Sequence, residues 1–233
     1  MLTHPSIKSY DWSAAYTSPN PNDASSYLAN RTGPLTQTGS NLNPMIWSPL
    51  NGSDNYYKQL QWTGRVASSL GIPDNGTIMT LSNYLGLGQW SRSRATIDSN
   101  LTMHSSAFNL SAQPADRAAI VSGLDSMRAA LATNPEIGVI SPSADTSSAD
   151  HVDNTPHEAV NHWLGSCKMG LDDGREEGGE AVVDGDARVY GMRNLFVVDA
   201  SVVPGLTTAN PSALVAVVGV RAAERILGLM RKE

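Results

Sequence analysis

The part of the sequence that most constrains the fold is a short apolar run near the C-terminus, followed by a loop and a helix-forming stretch. Residues 194–199 read Asn-Leu-Phe-Val-Val-Asp, and a continuous apolar run of this kind is typical of a strand covered on both faces. Asn210 is a favourable N-cap, and Pro211 suits the first position of a helix that extends to about residue 230. The start of such a helix presents unpaired amide groups, which suit an anionic group. A further short buried strand is predicted at residues 181–184. This order of elements predicts part of an α/β layer.

The preceding part of the chain has a different pattern, which predicts an antiparallel sheet backed by helices. The strand candidates are residues 59–66, 77–85 and 94–98, with glycine-containing turns between them. Apolar residues at helical spacing predict a helix over 115–133 that Asn134 and Pro135 end. A shorter helix is expected at 22–31, capped by Asn22 or Asp23. The rest of the first 60 residues, and residues 141–158, are expected to form loops.

Composition excludes several classes of function and indicates a compartment. The chain has 233 residues with a net charge of -6, and no basic stretch suits nucleic acid. No apolar run is long enough to cross a membrane, and the single cysteine allows no disulfide within the chain. Glycosylation sequons begin at Asn30, Asn51, Asn75, Asn100 and Asn109, which favours an extracellular protein. The first residues do not form a signal peptide, so a signal is expected upstream of this chain.

Two segments carry the candidate chemistry, whereas the common catalytic motifs are absent. The sequence contains no HExxH, CxxC or GxSxG pattern, so a metal site and a serine hydrolase are not expected. It also lacks a GxGxxG loop, so the chain has no dinucleotide fingerprint of its own. One segment of interest places His162 before a turn of small residues, and histidine suits proton transfer near neutral pH. The other is the C-terminal strand, loop and helix. Considered from the residues alone, most lone histidines and most helix starts of this kind have purely structural roles.

Together these segments resemble the C-terminal signature of the glucose–methanol–choline (GMC) oxidoreductases. The matching residues, in chain order, are His162, 165–170, 181–184, 188–191, 194–201, Pro204 and 210–211. The sequence is also similar to the flavin domain of the fungal cellobiose dehydrogenases, over nearly the whole chain. That closer likeness rests on residues 26–33, 59–66, 83–86 and 161–163.

The resemblance implies a mixed α+β and α/β fold with two domains. Residues 1–180 would be mostly a substrate-binding domain, an antiparallel sheet with helices. Residues 181–233 would supply the last strand and helix of a doubly wound FAD-binding domain. The glycine-rich FAD loop would belong to a missing N-terminal half, and the isolated chain is therefore expected to be inactive.

The resemblance also implies roles for individual residues. His162 would accept the hydroxyl proton of a sugar while hydride passes to flavin N5, and Asn210 would hydrogen-bond the sugar oxygen. Arg65 and Asn161 would contact the sugar. The residues expected to bind the cofactor FAD are Asp199, Ala200, Asn210, Pro211 and Ser212.

The implied protein is a secreted fungal glycoprotein that oxidises a cellobiose-like sugar at the anomeric hydroxyl to a lactone. Its expected partners are the sugar, the missing FAD-binding half, and a haem domain or an external electron acceptor. Two alternatives stay open at this point. One is a GMC enzyme that acts on choline, an aryl alcohol or glucose, and the other is a truncated, non-catalytic fragment or sugar-binding remnant without FAD.

Overall fold

The computed structural model divides the chain into two compact units. It describes residues 1–8, 15, 17–36, 41–69, 71–73, 76–105, 110–155, 162–207 and 210–231. The first unit comprises Met1–Gln89 and Leu110–Thr155, and the second comprises Trp90–Asn109 and Pro156–Glu233. The predicted assignment of residues 181–233 to a FAD-binding domain stays a prediction.

A five-stranded sheet forms the centre of the first unit. Its strands are β1 (Leu2–Thr3), β2 (Asn41–Asn51), β3 (Tyr57–Arg65), β4 (Ile78–Leu87) and β7 (Gly138–Val139). Their order is β2-β3-β4-β1-β7, and every pair of neighbours is antiparallel. The antiparallel sheet predicted from the sequence is thereby confirmed, and β3 and β4 lie close to the predicted ranges.

The edge strand β2 was expected to be a loop, and that expectation is wrong. Pro44 and Pro49 lie within it, and proline has no amide hydrogen to donate to a strand ladder. Because β2 lies at the edge of the sheet, its outer side needs no strand partner there, and proline is tolerated. A register shift between Asn41 and Met45 accompanies Pro44.

Three α-helices lie in the described part of the first unit. These are α1 (Pro21–Asn30), α2 (Pro114–Leu131) and α3 (Ser148–Asn154). The predictions of α1 and α2 are confirmed, although Asn20, rather than Asn22 or Asp23, caps α1 by accepting a hydrogen bond from the Asn22 amide. Helix α3 lies in a stretch that was expected to be irregular, where Ser147 provides the N-cap through a bond from the Asp150 amide.

Helix α2 packs on one face of the sheet. At Gly123 a Cβ atom would overlap the Leu60 side chain, so the glycine permits close approach of the helix to β3. Leu60 and Trp62 are buried on this face. Side chains alternate along a strand, so Gln61, Thr63 and Arg65 lie on the opposite face.

The second unit contains helix α4 (Ser212–Met230) and a hairpin of β5 (Ala95–Ile97) and β6 (Met103–Ser105). The two strands predicted at 181–184 and 194–199 do not form regular strand ladders. Instead the described residues form isolated bridges, among them Val183 with Val189 and Arg188 with Phe196. Val183 is buried, but Leu195 is 47% exposed and Val198 is 40% exposed, so the second run is not covered on both faces.

Candidate functional site

The segment that follows His162 is fixed by backbone hydrogen bonds to the residues before α4. The Cys167 amide donates to the Ser201 carbonyl at 3.0 Å, and the Met169 amide donates to the Val202 carbonyl at 2.9 Å. Gly165 has a φ of 80°, a conformation that favours glycine. The two segments singled out in the sequence are therefore joined directly in the structure.

Further bonds hold this pair of segments from the other side. The Val182 amide donates to the Lys168 carbonyl at 2.8 Å, and the Gly170 amide donates to the Val183 carbonyl at 3.1 Å. The Tyr190 hydroxyl donates to the Gly170 carbonyl at 3.0 Å. Backbone groups and the Tyr190 hydroxyl thus hold the turn that follows His162.

His162 itself is half-buried, and its burial affects its protonation. Desolvation lowers the pKa of His162 below the ordinary value for histidine. The imidazole is therefore neutral at pH 7, and a neutral imidazole has a nitrogen lone pair that accepts a proton. These properties suit a general base.

Asp199 shapes the turn that precedes α4. Its side chain accepts a hydrogen bond from the Ser201 amide at 2.7 Å and another from the Ser201 hydroxyl. It thereby caps a short 3₁₀ turn that begins at Ala200. The structure gives Asp199 and Ala200 this local role, while contact with a diphosphate stays a prediction.

The start of α4 differs from the expected capping arrangement. The N-cap position is Pro211, not Asn210, and Pro211 makes no side-chain capping hydrogen bond. Asn210 is exposed and precedes the cap, and Ser212 is the first helical residue. The amides of the first turn carry the partial positive charge of a helix N-terminus.

Of the two residues expected to contact a sugar, the structure describes Arg65 but not Asn161. Arg65 lies at the end of β3 in the first unit, where its Nε atom is buried without a hydrogen-bond acceptor among the described residues. Asn161 lies outside the described residues. The roles assigned to all of these positions stay predictions.

The structure also reveals features that the sequence analysis missed. In the first unit a cavity of about 110 Å³ is lined by side chains that include Trp62, Leu124 and His151. Burial lowers the pKa of His151, and the positive charges of the N-terminal amine and Arg128 act in the same direction. Trp47 lies on β2 and is 45% exposed. The sequence analysis placed Trp47 in a loop, because the proline-containing stretch around it did not read as a strand.

The described part of the chain holds no group of three or more His, Cys, Asp or Glu residues able to bind a metal ion. Of the helices in that part, none is long and apolar enough to cross a membrane.

Comparison with known proteins identifies the family. The model of the GMC oxidoreductase C-terminal family matches residues 90–219, more than half of the chain. The chain therefore belongs to the GMC oxidoreductases, a family of flavoproteins, and the matched region contains both segments described above.

Individual relatives agree with this assignment. Dehydrogenase pkfF of Emericella nidulans is 37% identical over 150 residues, which cover 61% of this chain and 23% of that protein. The oxygen-dependent choline dehydrogenase of Pseudomonas syringae is 41% identical over 92 residues, which cover 38% of this chain and 15% of that protein. The chain thus spans less than a quarter of the length of these relatives.

A solved structure supports the fold. The crystal structure of pyridoxine 4-oxidase from Mesorbium loti superposes with a TM-score of 0.60 at 22% identity, over 77% of this chain and 37% of that one. The mixed α/β class with an antiparallel sheet is thereby confirmed. At this level of identity the likeness concerns the fold alone.

Proposed function

We propose that this chain is the C-terminal part of an FAD-dependent oxidoreductase that acts on a sugar hydroxyl. In a cellobiose-like substrate, the enzyme oxidises the anomeric hydroxyl, and the product is a lactone. The observation that carries the proposal is the attachment of the segment after His162 to the residues that lead into α4. Backbone bonds from Cys167 and Met169 make this attachment. In this proposal the segment that follows the proton acceptor is bonded to residues that precede, along the chain, a helix N-terminus, and such a terminus suits an electron-rich ring.

His162 and Asn210 have complementary chemistry in this proposal. Neutral His162 accepts the proton of the sugar hydroxyl, because burial lowers its pKa and keeps it unprotonated at pH 7. The amide of Asn210 donates or accepts a hydrogen bond at the sugar oxygen but takes up no proton. FAD, when bound, supplies the acceptor for the hydride.

The residues at the start of α4 fit part of a flavin site. The amides at this helix N-terminus are suited to stabilise the negative charge that a reduced flavin carries, and the cap residue Pro211 makes no side-chain bond to them. Pro211, Ser212 and Asn210 would lie beside the flavin ring, and Asp199 with Ala200 would lie beside the diphosphate. The sequence holds no GxGxxG loop, so these residues would form only part of the cofactor site.

The surface of α4 supports a partner that supplies the rest of that site. Four exposed apolar residues lie along one side of the helix, namely Val217, Val220, Leu227 and Met230. Exposed apolar stripes of this kind normally contact another protein surface. We assign this one to the FAD-binding half, and a haem domain or external electron acceptor would take the two electrons released by sugar oxidation.

The localisation proposed from the sequence is extracellular, with N-glycosylation. Asn30, Asn51 and Asn100, three of the sequon asparagines, are exposed, as acceptors of a glycan must be. Secretion from a fungal host should therefore give a protein whose mass falls on treatment with an endoglycosidase. An unchanged mass would contradict this part of the proposal.

Two alternative functions have specific support. The choline dehydrogenase relatives favour an alcohol other than a sugar. The lack of a glycine-rich loop favours a fragment that binds no FAD and catalyses nothing. Comparing cellobiose with choline as substrates distinguishes the first alternative from the proposed function. Measuring the flavin content after purification distinguishes the second.

The test of the catalytic assignment is His162→Ala in the flavin-loaded protein that contains this chain. Turnover should fall by about 10²–10⁴-fold, the usual contribution of a general base, while FAD content stays the same. Asn210→Ala should cost less, roughly tenfold, since one hydrogen bond is lost. His104→Ala is the control, because His104 lies on the exposed β5–β6 hairpin, where it bonds to Asp98 at 2.9 Å. Turnover of His162→Ala equal to that of the control would refute the assignment.

A further inference from the structure

A turn joins β5 to β6 in the second unit, and the carboxylate of Asp98 holds it. Asp98 Oδ1 accepts hydrogen bonds from the backbone amides of Asn100 and Thr102, both at 2.9 Å. Asp98 Oδ2 lies 2.9 Å from His104 Nε2 on β6. The bond to His104, followed by the bond from the Thr102 amide, lowers the pKa of Asp98, so the carboxylate is ionised at neutral pH. The turn therefore has a fixed local shape.

Leu101 lies in this turn in a conformation that leucine seldom adopts. Its φ is 62°, in the left-handed region that glycine and asparagine enter far more readily. Its side chain is also 85% exposed, so burial within the described structure does not offset the strain. A residue that is both strained and exposed indicates a function other than the stability of this hairpin.

Two more exposed apolar residues flank the turn. Ile97 is 70% exposed and Met103 is 56% exposed. They are directly paired across the hairpin, so they share a face with their Cβ atoms about 5 Å apart. Together with Leu101 they form an exposed apolar cluster, which we call the apolar tip. Clustered apolar residues of this kind normally have a partner that covers them.

A glycan acceptor lies within the same turn. Asn100, Leu101 and Thr102 form an N-glycosylation sequon, and Asn100 is exposed. Acceptor asparagines belong to surface loops. Asn30 and Asn51, the other exposed sequon asparagines, are instead the last residues of α1 and β2. Asn100 is thus the acceptor that lies in a turn and beside exposed apolar side chains.

We propose that Asn100 carries an N-linked glycan whose first sugars pack on the apolar tip. The transfer forms a bond between Nδ2 of Asn100 and the anomeric carbon of the first sugar. It breaks the bond of that carbon to the diphosphate of a lipid-linked oligosaccharide donor and releases a proton from the amide nitrogen. The C–H face of the sugar ring then covers Leu101 and its neighbours, while the sugar hydroxyls stay hydrated.

The inference rests on the extracellular location that forms part of the proposed function. It goes further, because it names the acceptor and gives the glycan the task of covering the apolar tip. The covering group is attached to the residue next to Leu101, so no separate protein partner is needed at this hairpin.

The first test locates the glycan in the full protein that contains this chain, secreted from a fungal host. Enzymatic deglycosylation in heavy-oxygen water labels each occupied asparagine, and mass spectrometry of the peptides should find the label at Asn100. Thr102→Val should abolish that label, because it removes the hydroxyl of the sequon but keeps the amide that donates to Asp98. Ser53→Ala is the matched control, since it removes only the sequon of Asn51 and should leave the label at Asn100.

The second test measures whether the glycan covers the apolar tip. Thr102→Val should raise the fluorescence of anilinonaphthalene sulfonate by roughly twofold, because this dye binds exposed apolar surface. Leu101→Gly added to Thr102→Val should remove most of that rise. Asn100→Gln lacks the sequon by a different change and should match Thr102→Val, which guards against a local distortion in either variant.

Three results would overturn the inference. The first is an unlabelled Asn100 beside a labelled Asn51, which would leave the extracellular location intact. The second is a protein without any glycan, which would refute the glycosylated extracellular location as well. The third is a labelled Asn100 with unchanged dye fluorescence in Thr102→Val. Flavin reduction by cellobiose should be the same in Thr102→Val as in the wild type, so the proposed catalysis is tested separately.

Discussion

Replacing Lys58 by methionine should destabilise the first unit strongly, because this lysine neutralises a buried carboxylate. The side chains of Lys58 and Asp116 are both 0% exposed, and their charged atoms lie 2.9 Å apart. The Lys58 ammonium also lies 3.1 Å from Asp54 Oδ2 and donates to the Gly88 carbonyl at 2.7 Å. All three hydrogens of the ammonium thus have acceptors, and the cluster ties β3, the end of β4 and the first turn of α2 together.

The magnitude follows from what the substitution leaves behind. Methionine fills a similar volume but leaves Asp116 charged, buried and without its cation. Breaking a buried ion pair from one side costs about 3–5 kcal/mol. Since domains are stable by only about 5–15 kcal/mol, this loss is a large fraction of the total.

Urea unfolding followed by circular dichroism measures the loss, and a double-mutant cycle isolates its cause. In Lys58→Met/Asp116→Ala no buried charge remains unpaired, so the double variant should be clearly more stable than the sum of the two single losses predicts. Arg221→Met is the control, because the Arg221–Glu224 pair is exposed and should contribute less than about 1 kcal/mol. A loss below about 1 kcal/mol in Lys58→Met, or additive losses in the cycle, would refute the reasoning.

Two further predictions concern packing and pH. Gly123→Ala should destabilise the chain by about 1–3 kcal/mol, because the new methyl group overlaps the Leu60 side chain. Gly228→Ala in α4 is the control: the added atom meets open space, so this change should be neutral or stabilising by up to about 1 kcal/mol. Equal effects of the two changes in thermal unfolding would contradict the packing of α2 on β3. Because burial lowers the pKa of His162, kcat/KM should fall with acidification only below the ordinary histidine pKa of 6.5, as the base becomes protonated. A pH profile with its acid limb at or above that value would exclude His162 as the base.

The sequence predicted those elements whose signals are local. Helix α2 has apolar periodicity over its whole length and is ended by Asn134 and Pro135, and its observed bounds are Pro114–Leu131. Strands β3 and β4 were recognised from alternation and flanking glycines. Strand β2 was missed because Pro44 and Pro49 are tolerated only at a sheet edge, and the strand order is a tertiary property.

The apolar run at 194–199 shows the opposite error. Its composition is that of a strand covered on both faces, but in this structure it is joined by the bridge of Phe196 with Arg188, and Leu195 and Val198 remain exposed. A run of this composition requires layers on both sides before it becomes a central strand. The apolar pattern therefore predicted burial on both faces, whereas in the structure Leu195 and Val198 are exposed.

The candidate site was accessible from the sequence only as residue types in order. His162 and the start of α4 were recognised, but the backbone bonds of Cys167 and Met169 to the turn after Asp199 are long-range contacts between irregular segments. No periodic signal encodes such contacts.

The measurement that tests the central claim most directly is the anaerobic absorbance spectrum of the FAD-loaded protein that contains this chain, before and after addition of substrate. Cellobiose should bleach the flavin band, choline should not, and His162→Ala should retain the bound flavin yet lose the bleaching. Bleaching by choline alone, or bleaching by cellobiose at the wild-type rate in His162→Ala, would contradict the claim that His162 serves a sugar-oxidising GMC enzyme.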